Sequence, residues 1–513
     1  MARYKDYNYD QMKMIPVSFD KQILPGSFEY SLSYLVDHEV DLSSFEQHYR
    51  NDDNGRPAYD PRLLLKIIFL AYSKGITGSR KIERLCRENI IFMALTADLQ
   101  PDHSTLSDFV TRSPDAITDL FKQVVLMCDH LGLIGKEMFA IDGCKLPSNA
   151  SKEHSGSHVE LKKKQQKIDR AIRRMLQRHK EQDMVERQPD IYEREREQIS
   201  KLRAASKKIK HFLETEEERT GVSGRVVKSN ITDNESAKMK TSHGVFQGYT
   251  GVAAADNTHQ VVIYAEAFGQ GQEHGLIKPV LEGIRETFEE SNAKTKRALK
   301  KTKITADAGY HNREMLEYLE AEKVDAYIAD TGFRSRDPRF KDHKEPAARN
   351  RRKDKARFTQ SEFTIDRDKQ SCRCPAGKEL WLKAKRARIG NHLFMQFQGY
   401  EKDCADCSLR KRCLRKENQR TPRQINVALG ITKEQKAGVI EQMKRKIDSL
   451  RGRHIYSQRL GTVEPVFGHI TDAIGIRRFS FRGKQKVDGQ WKLMMMLHNI
   501  LKIHRYGWEW ELE

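Results

Sequence analysis

The sequence predicts an α/β core built on a mixed sheet, preceded by an all-α segment and interrupted by a charged helical insertion and a smaller cysteine-bearing one. Three observations predict it. Residues 1–135 alternate helix caps with amphipathic runs. Between 138 and 330, apolar runs of strand length recur with helix-length segments among them, in the order strand, hairpin, helix, strand, helix, strand. The stretches 156–221 and 333–425 break that rhythm with dense charge.

In the first segment, Asp60 and Pro61 form an N-cap and first-turn pair ahead of PRLLLKIIFLAYSKG, which Gly75 stops. A second helix is expected from Ser79 over SRKIERLCREN, showing Arg80, Lys81, Arg84 and Arg87. Asp102 and Ser104 offer caps in PDHSTLSDF, and Ser113 with Pro114 opens an amphipathic helix ending near Gly132. Short helices with basic faces suit docking in a DNA groove as a helix-turn-helix does, and equally suit a bundle with solvated charges.

The core begins at 136–155, where MFAID (138–142) reads as a buried strand ending in a carboxylate. Residues 156–221 then predict an exposed helical hairpin split by Pro189. Its charge pattern fits a solvated spacer as well as a DNA-contacting arm or a partner surface. The core resumes over 222–332. There GVFQGYTGVAAADN and HQVVIYAEAFG are joined at Asn257 and Thr258 as a tight hairpin, followed by helix GLIKPVLEGIRETFEESN, strand KITADAGY ending at Asp307, helix NREMLEYLEAEK and strand VDAYIAD. Asp256 at the hairpin and Asp233 before it are ordinary turn carboxylates and not ligands. In the last segment, 426–513, helices are expected over ITKEQKAGVIEQMKRKIDS, YSQRLGTVEPVFGHI and VDGQWKLMMMLHNILKIHRY, the last suited to packing on the sheet. There is no internal repeat.

Composition narrows the function. The 513 residues hold 93 Lys and Arg against 72 Asp and Glu, a formal charge of +21 that points to a polyanionic partner, nucleic acid first. A hydrophobic content of 38% and a mean hydropathy of −0.75 support cores but no bilayer span. The opening MARYKDYNYDQMK has no signal-peptide apolar region, so a soluble cytoplasmic protein without membrane contact is expected. Eight cysteines are too sparse for a disulfide scaffold.

Asp142 and Asp307 each end an apolar run, where open α/β sheets place ligand-binding residues, and Glu464 is the third candidate. Three carboxylates on one edge would hold two Mg²⁺ ions around a phosphodiester, one activating the attacking oxygen and one stabilising the leaving oxygen. Spacing alone is weak, since 72 acidic residues offer many triples. The surrounding residues are stronger. AIDGCKLPSNAS (140–151), TADAGYHN (305–312) and YSQRLGTVEPVFGHI (456–470) resemble, in order, the three catalytic blocks of bacterial DDE insertion-sequence transposases, closest to the IS-five and IS-eleven-eighty-two groups. RPAYDPRLLLKIIFLAY, PDHSTLSDF, GYTGVAAADN, FSFRGKQKV and LHNILKI extend the resemblance nearly end to end.

The resemblance implies an RNase H-like fold with Asp142 on its first strand, Asp307 on its fourth and Glu464 on a late helix. It implies catalytic Mg²⁺ or Mn²⁺, two ions, bound by these three residues. It also implies cleavage at terminal inverted repeats and strand transfer to target, with double-stranded DNA as partner and a homo-oligomer, a dimer on DNA, as the working form. Tyr456 and Arg459 are then DNA-end contacts. The Lys usual seven residues after the Glu is Thr471 here, with Arg477 and Arg478 beyond it as substitute positive charge. Thr471 keeps a second class open, a repurposed transposase serving as a sequence-specific DNA-binding repressor or architectural factor. A plain RNase H-fold nuclease would lack the joining step.

Five cysteines crowd into 372–413: Cys372 and Cys374 as C-x-C-P, then Cys404, Cys407 and Cys413 as C-x2-C-x5-C. Soft-ligand pairs across a loop read as a structural Zn²⁺ site, against the alternative of free thiols in a loop. The resembled family's C-P-A-G-K phrase selects Cys374 with Cys404, Cys407 and Cys413, leaving Cys372 as a spare or a substitute. Cys86, Cys128 and Cys144 are scattered and read as packed or incidental.

Overall fold

A computed structural model describes residues 16–47, 57–182, 189–221, 226–241, 244–289, 293–340, 360–366, 369–389, 392–414, 419–429 and 438–507, with single residues at 10, 49 and 358. The chain forms two compact units, residues 1–331 with 443–513, and residues 332–442.

The first unit opens with helices α1 (Phe28–Tyr34), α2 (Pro61–Ser73), α3 (Ser79–Glu88), α4 (Ile90–Thr96), α5 (His103–Arg112) and α6 (Pro114–His130). Local chemistry sets their ends. Asp60 accepts from Arg62 N at 2.8 Å, Asp102 from Thr105 N at 2.7 Å, and Gly75 and Gly132 take positive φ where α2 and α6 stop. Ser113 makes no side-chain cap, so α6 relies on Pro114 in its first turn. Helix α2 is buried on nearly every side, from Leu64 to Tyr72, and is the centre of the helical group.

The sheet comprises β1 (Met138–Pro147), β2 (Ala237–Thr241), β3 (Gly244–Asp256), β4 (Val262–Phe268), β5 (Lys303–Ala306) and β6 (Asp325–Ile328). Its path is β2-β3-β1-β5-β6, with β4 also on β3. Strand β3 is antiparallel to β1, β2 and β4, whereas β1, β5 and β6 are parallel, giving the mixed sheet expected. Two details differ from the sequence reading. The hairpin connection runs over 257–261, because Asp256 N bonds Val261 O while its carboxylate accepts from Gly135 N, Lys136 N and Thr258 N. Strand β2 also pairs with the start of β3, so β5 is the fifth strand of the sheet in chain order, and Asp307 lies just past its end.

Helices α7 (His158–Gln182) and α8 (Pro189–Thr215) form the charged hairpin. Its seam carries two small apolar clusters, Leu161 with Ile209 and Phe212, and Ile172 with Met175 and Ile199. After β4, helices α9 (Ile277–Thr287) and α10 (Arg313–Ala321) alternate with β5 and β6. Helix α11 (Leu450–Thr462) is followed at once by α12 (Glu464–Gly468), the break falling where Pro465 can only start a helix. Within the expected ITKEQKAGVIEQMKRKIDS helix, 431–437 lies outside the described residues and Val439–Asp448 is helical. The last helix, α13 (Lys484–Tyr506), packs on β4 and on α6. Its Trp491 donates to Val252 O at 2.9 Å, and Asn499 bonds both the N–H and the carbonyl of Val262. A Cβ on Gly251 would stand 2.6 Å from the Trp491 indole, so glycine there lets α13 approach the sheet.

The second unit is an antiparallel meander of β7 (Thr364–Asp366), β8 (Ser371–Arg373), β9 (Glu379–Ile389), β10 (His392–Gln398) and β11 (Gln424–Ala428). The basic segment thus folds where no strand was expected. Alternation in LFMQF and INV buries Met395, Phe397, Ile425 and Val427 against Phe363 and Leu380 while Gln396 and Asn426 between them stay half-exposed.

Candidate active site

Strands β1 and β5 run in parallel register from Met138 opposite Lys303 to Ile141 opposite Ala306. The next residue of each is the candidate aspartate, so Asp142 and Asp307 stand at equivalent positions on one face of the sheet's carboxyl edge. Asp142 accepts from Gly143 N at 2.8 Å and from Arg459 Nη1 at 2.6 Å. Burial pushes its carboxyl above the ordinary range, opposed by the Arg459 charge. Asp307 accepts from Gly309 N at 2.8 Å and caps the short turn Ala308–Tyr310.

Arg459, near the end of α11, is only 7% exposed. Its Nη2 lies 3.7 Å from Glu464 Oε1 at the start of α12, so one guanidinium spans Asp142 and Glu464. The break before α12 places these two residues on either side of the turn. Tyr456, one turn earlier, is half-buried with its ring centroid 5.8 Å from the guanidinium, and burial raises its phenol. Glu464 itself is the most open of the three acids, its side chain 54% exposed.

A residue the sequence reading passed over joins this group. Glu273 follows β4 by five residues and is 8% exposed. Burial pushes its carboxyl up to about 7, with the charge of Asp307 adding and Lys145, 3.8 Å away, opposing. The available signal was positional: β4 runs parallel to β1 across β3, so the loop after it reaches the same edge as Asp142 and Asp307. Tyr310, fully buried, has a hydroxyl without a hydrogen-bond partner among the described residues. Burial and then the charges of Glu273, Asp142 and Asp307 raise it well above the usual phenol range.

The remaining candidates are more dispersed. Thr471 spends its hydroxyl on Phe467 O at 2.9 Å, while Arg477 Nε donates to the Thr471 carbonyl at 3.0 Å and its Nη2 lies 3.4 Å from Asp472 Oδ1, so the positive charge Arg477 brings to that position is partly offset. Arg478 Nη2 reaches Ser148 O at 3.4 Å. Asp233 accepts from Tyr249 Oη at 2.6 Å and Gly483 N at 3.2 Å, and serves the packing of the chain. A cleft of about 1530 Å³ includes Lys145, Arg219, Lys228, Lys238, Lys240 and Lys484 in its wall, and through Lys145 it borders Glu273.

In the second unit, Cys374, Cys404, Cys407 and Cys413 line one cavity of about 40 Å³. Burial raises the Cys404 and Cys413 thiols, and Cys374 and Cys407 add to both shifts. Cys372 is 2% exposed within the sheet core, between Ile365 and Leu380, and is not part of that cavity's lining. Among the described residues, no three His, Cys, Asp or Glu side chains are already arranged around a metal position. At the acidic group the charges of Arg459 and Lys145 offset the carboxylates. The donor chemistry fits nonetheless: hard carboxylate oxygens suit Mg²⁺ or Mn²⁺, and four thiols suit Zn²⁺.

A family model described as "Transposase DDE domain" matches residues 373–504, and one described as "Transposase domain (DUF772)" matches residues 17–112. The first match takes in Cys374, Cys404, Cys407, Cys413, Tyr456, Arg459, Glu464 and Arg477, and stops short of Asp142 and Asp307. No curated protein and no solved structure matches the chain. No helix among the described residues is long and apolar enough to cross a membrane.

Proposed function

We infer that this chain, which matches transposase families toward both ends, is a DNA transposase of an insertion sequence in the IS-five or IS-eleven-eighty-two group. It binds the terminal inverted repeats of its element, cuts the 3′ strand and joins the freed hydroxyl to target DNA, working as a homodimer on DNA. The observation that carries the reading is the register of Asp142 beside Asp307, with Arg459 tying Asp142 to Glu464. These three acids would hold two Mg²⁺ or Mn²⁺ ions. Bound there, the ions supply Lewis-acid activation of the attacking oxygen and charge stabilisation at the leaving one. Arg459 positions Asp142 and Glu464, and Tyr456 packs against it beside the path of the DNA end. Positive charge along the cleft walls, with Arg477 and Arg478, neutralises backbone phosphates. Cys374, Cys404, Cys407 and Cys413 would hold one structural Zn²⁺ that fastens the second unit. The segmentation set out from the sequence, with recognition in residues 1–135 and the catalytic acids spread over 136–155, 222–332 and 426–513, belongs to this reading.

The test supplies purified protein with a pre-cleaved end, taken from the inverted repeats flanking its gene and carrying a free 3′-OH, in Mg²⁺ or Mn²⁺. Strand joining is expected. Cutting without joining would indicate a nuclease, and retention without either would indicate a DNA-binding protein only.

A further inference from the structure

We propose that Glu273 is a fourth carboxylate ligand for the divalent ions at Asp142 and Asp307, an inference that rests on the catalytic reading above and adds a residue to it. Strands β4, β1 and β5 point the same way, so Glu273, Asp142 and Asp307 all follow strand ends on one edge.

The second observation is how the chain makes room for the carboxylate. A Cβ on Gly143 would lie 2.9 Å from Glu273 Oε1, and a Cβ on Gly309 would lie 2.4 Å from Oε2. Gly143 directly follows Asp142, and Gly309 follows Asp307 by two residues. Each aspartate motif thus carries a glycine against one oxygen of the same carboxylate. Neither glycine has a positive φ, so side-chain space and not backbone shape requires them.

The third observation points to a ligand. The Tyr310 hydroxyl is fully buried and without a partner among the described residues, and it feels Glu273, Asp142 and Asp307. Buried polar atoms are rarely left orphaned, and one under the field of three carboxylates leaves room for a further polar group or ion. As a merely structural residue Glu273 would be poorly supported. Its ion pair is to Lys145 at 3.8 Å, a separation too long for a hydrogen bond and a weak return for burying a carboxylate.

The test is Mn²⁺ binding to the full-length chain without DNA, followed by the electron paramagnetic resonance of free Mn²⁺. Glu273→Gln keeps the shape and removes the charge, and is expected to weaken binding by at least about tenfold. Gly309→Ala keeps every carboxylate, but its Cβ would stand 2.4 Å from Glu273 Oε2 and 3.0 Å from Asp307 Oδ1, displacing Glu273 above all, and the variant is expected to weaken binding as well. Wild-type affinity in Glu273→Gln, or no Mn²⁺ binding by the wild-type chain, overturns the proposal. Should Glu273→Gln fail to fold by circular dichroism, unchanged affinity in Gly309→Ala overturns it instead. If Mn²⁺ binding depends on Glu273 but the protein neither cuts nor joins DNA, the ligand assignment stands and the transposase reading falls. If the protein joins DNA and Glu273→Gln binds Mn²⁺ normally, the reverse holds.

Discussion

Arg459 Nη1 stands 2.6 Å from Asp142 Oδ2, with the arginine side chain 9% exposed and the aspartate 16%. Two opposite charges are tolerated there because each compensates the other, and removing one leaves its partner buried and unpaired, at a cost of about 3–5 kcal/mol. The same guanidinium reaches toward Glu464 at 3.7 Å, so it governs the spacing of two candidate catalytic acids.

Arg459→Lys should therefore do more harm than its conserved charge suggests. A lysine ammonium is a single point and cannot span two carboxylates as the planar fork does. Strand joining should fall by about 10- to 100-fold with end binding nearly unchanged, while Arg459→Ala should also lower the melting temperature. Joining at the wild-type rate by Arg459→Lys would refute the bridging role.

Asp142→Ala, Asp307→Ala and Glu464→Ala should each abolish cleavage and joining, because each removes an oxygen donor, yet leave retention of the DNA end in a gel largely intact. Appreciable activity in any one purified variant would remove that residue from the site.

The sequence made the aspartates legible because each ends a short run, MFAI before Asp142 and ITA before Asp307, that buries as a strand of the sheet. The helix caps at Asp60 and Asp102 were legible for an equally local reason. Glu273 was not. It sits in a Gly- and Gln-rich loop, and its significance arises only when β4 folds back parallel to β1 through β3, a relation between segments far apart in the chain. The strands of the second unit were masked by Arg and Lys on their outward positions, which made a half-buried meander read as a basic loop. The hairpin connection is longer than the two residues its local pattern suggests, and Asp256 at its start holds the backbone of Gly135 and Lys136, contacts of 121 and 120 residues' separation that no local pattern shows.

Binding of the element ends should weaken steeply with salt, by about 10³-fold or more between about 50 and 200 mM, if six or more phosphates are neutralised. The helical segment cannot be tested by deletion, since α13 packs on α6 and the core would be opened. On α3, Arg84 pairs with Glu88 and Arg87 with Glu83, leaving Arg80 and Lys81 as the exposed cations suited to DNA. Replacing both by Ala should weaken binding and lower the slope of log affinity against log salt by about 2. An unchanged slope would place phosphate contact elsewhere.

For the second unit, protein prepared without chelators should contain about one zinc per chain. Cys404→Ser, Cys407→Ser, Cys413→Ser and Cys374→Ser should each lower that content, whereas Cys372→Ser, altering a thiol in the sheet core, should lower stability more than zinc. Elemental analysis showing no zinc would remove the site, and equal zinc loss from the Cys372 and Cys374 variants would remove the choice of ligands.

A last prediction concerns pH and lies away from the acids. His498 Nε2 donates to Gln260 O at 2.9 Å, so its Nδ1 is the acceptor of the 2.9 Å bond from His469 Nδ1. Burial, then the neighbouring His469 and Lys502, push His498 down to about 3. The folded protein thus keeps this ring neutral where the unfolded chain, with an ordinary histidine near 6.5, takes up a proton. Stability from this source is complete above about pH 6.5 and drains away as pH falls toward 3, with a slope approaching about 1.4 kcal/mol per pH unit. Other groups titrate in the same window, so the informative quantity is a difference. The melting temperature should drop further between pH 7.5 and 5.5 for the wild-type chain than for His498→Gln, which cannot be protonated. Equal drops in the two proteins would show that His498 is not held neutral by the fold.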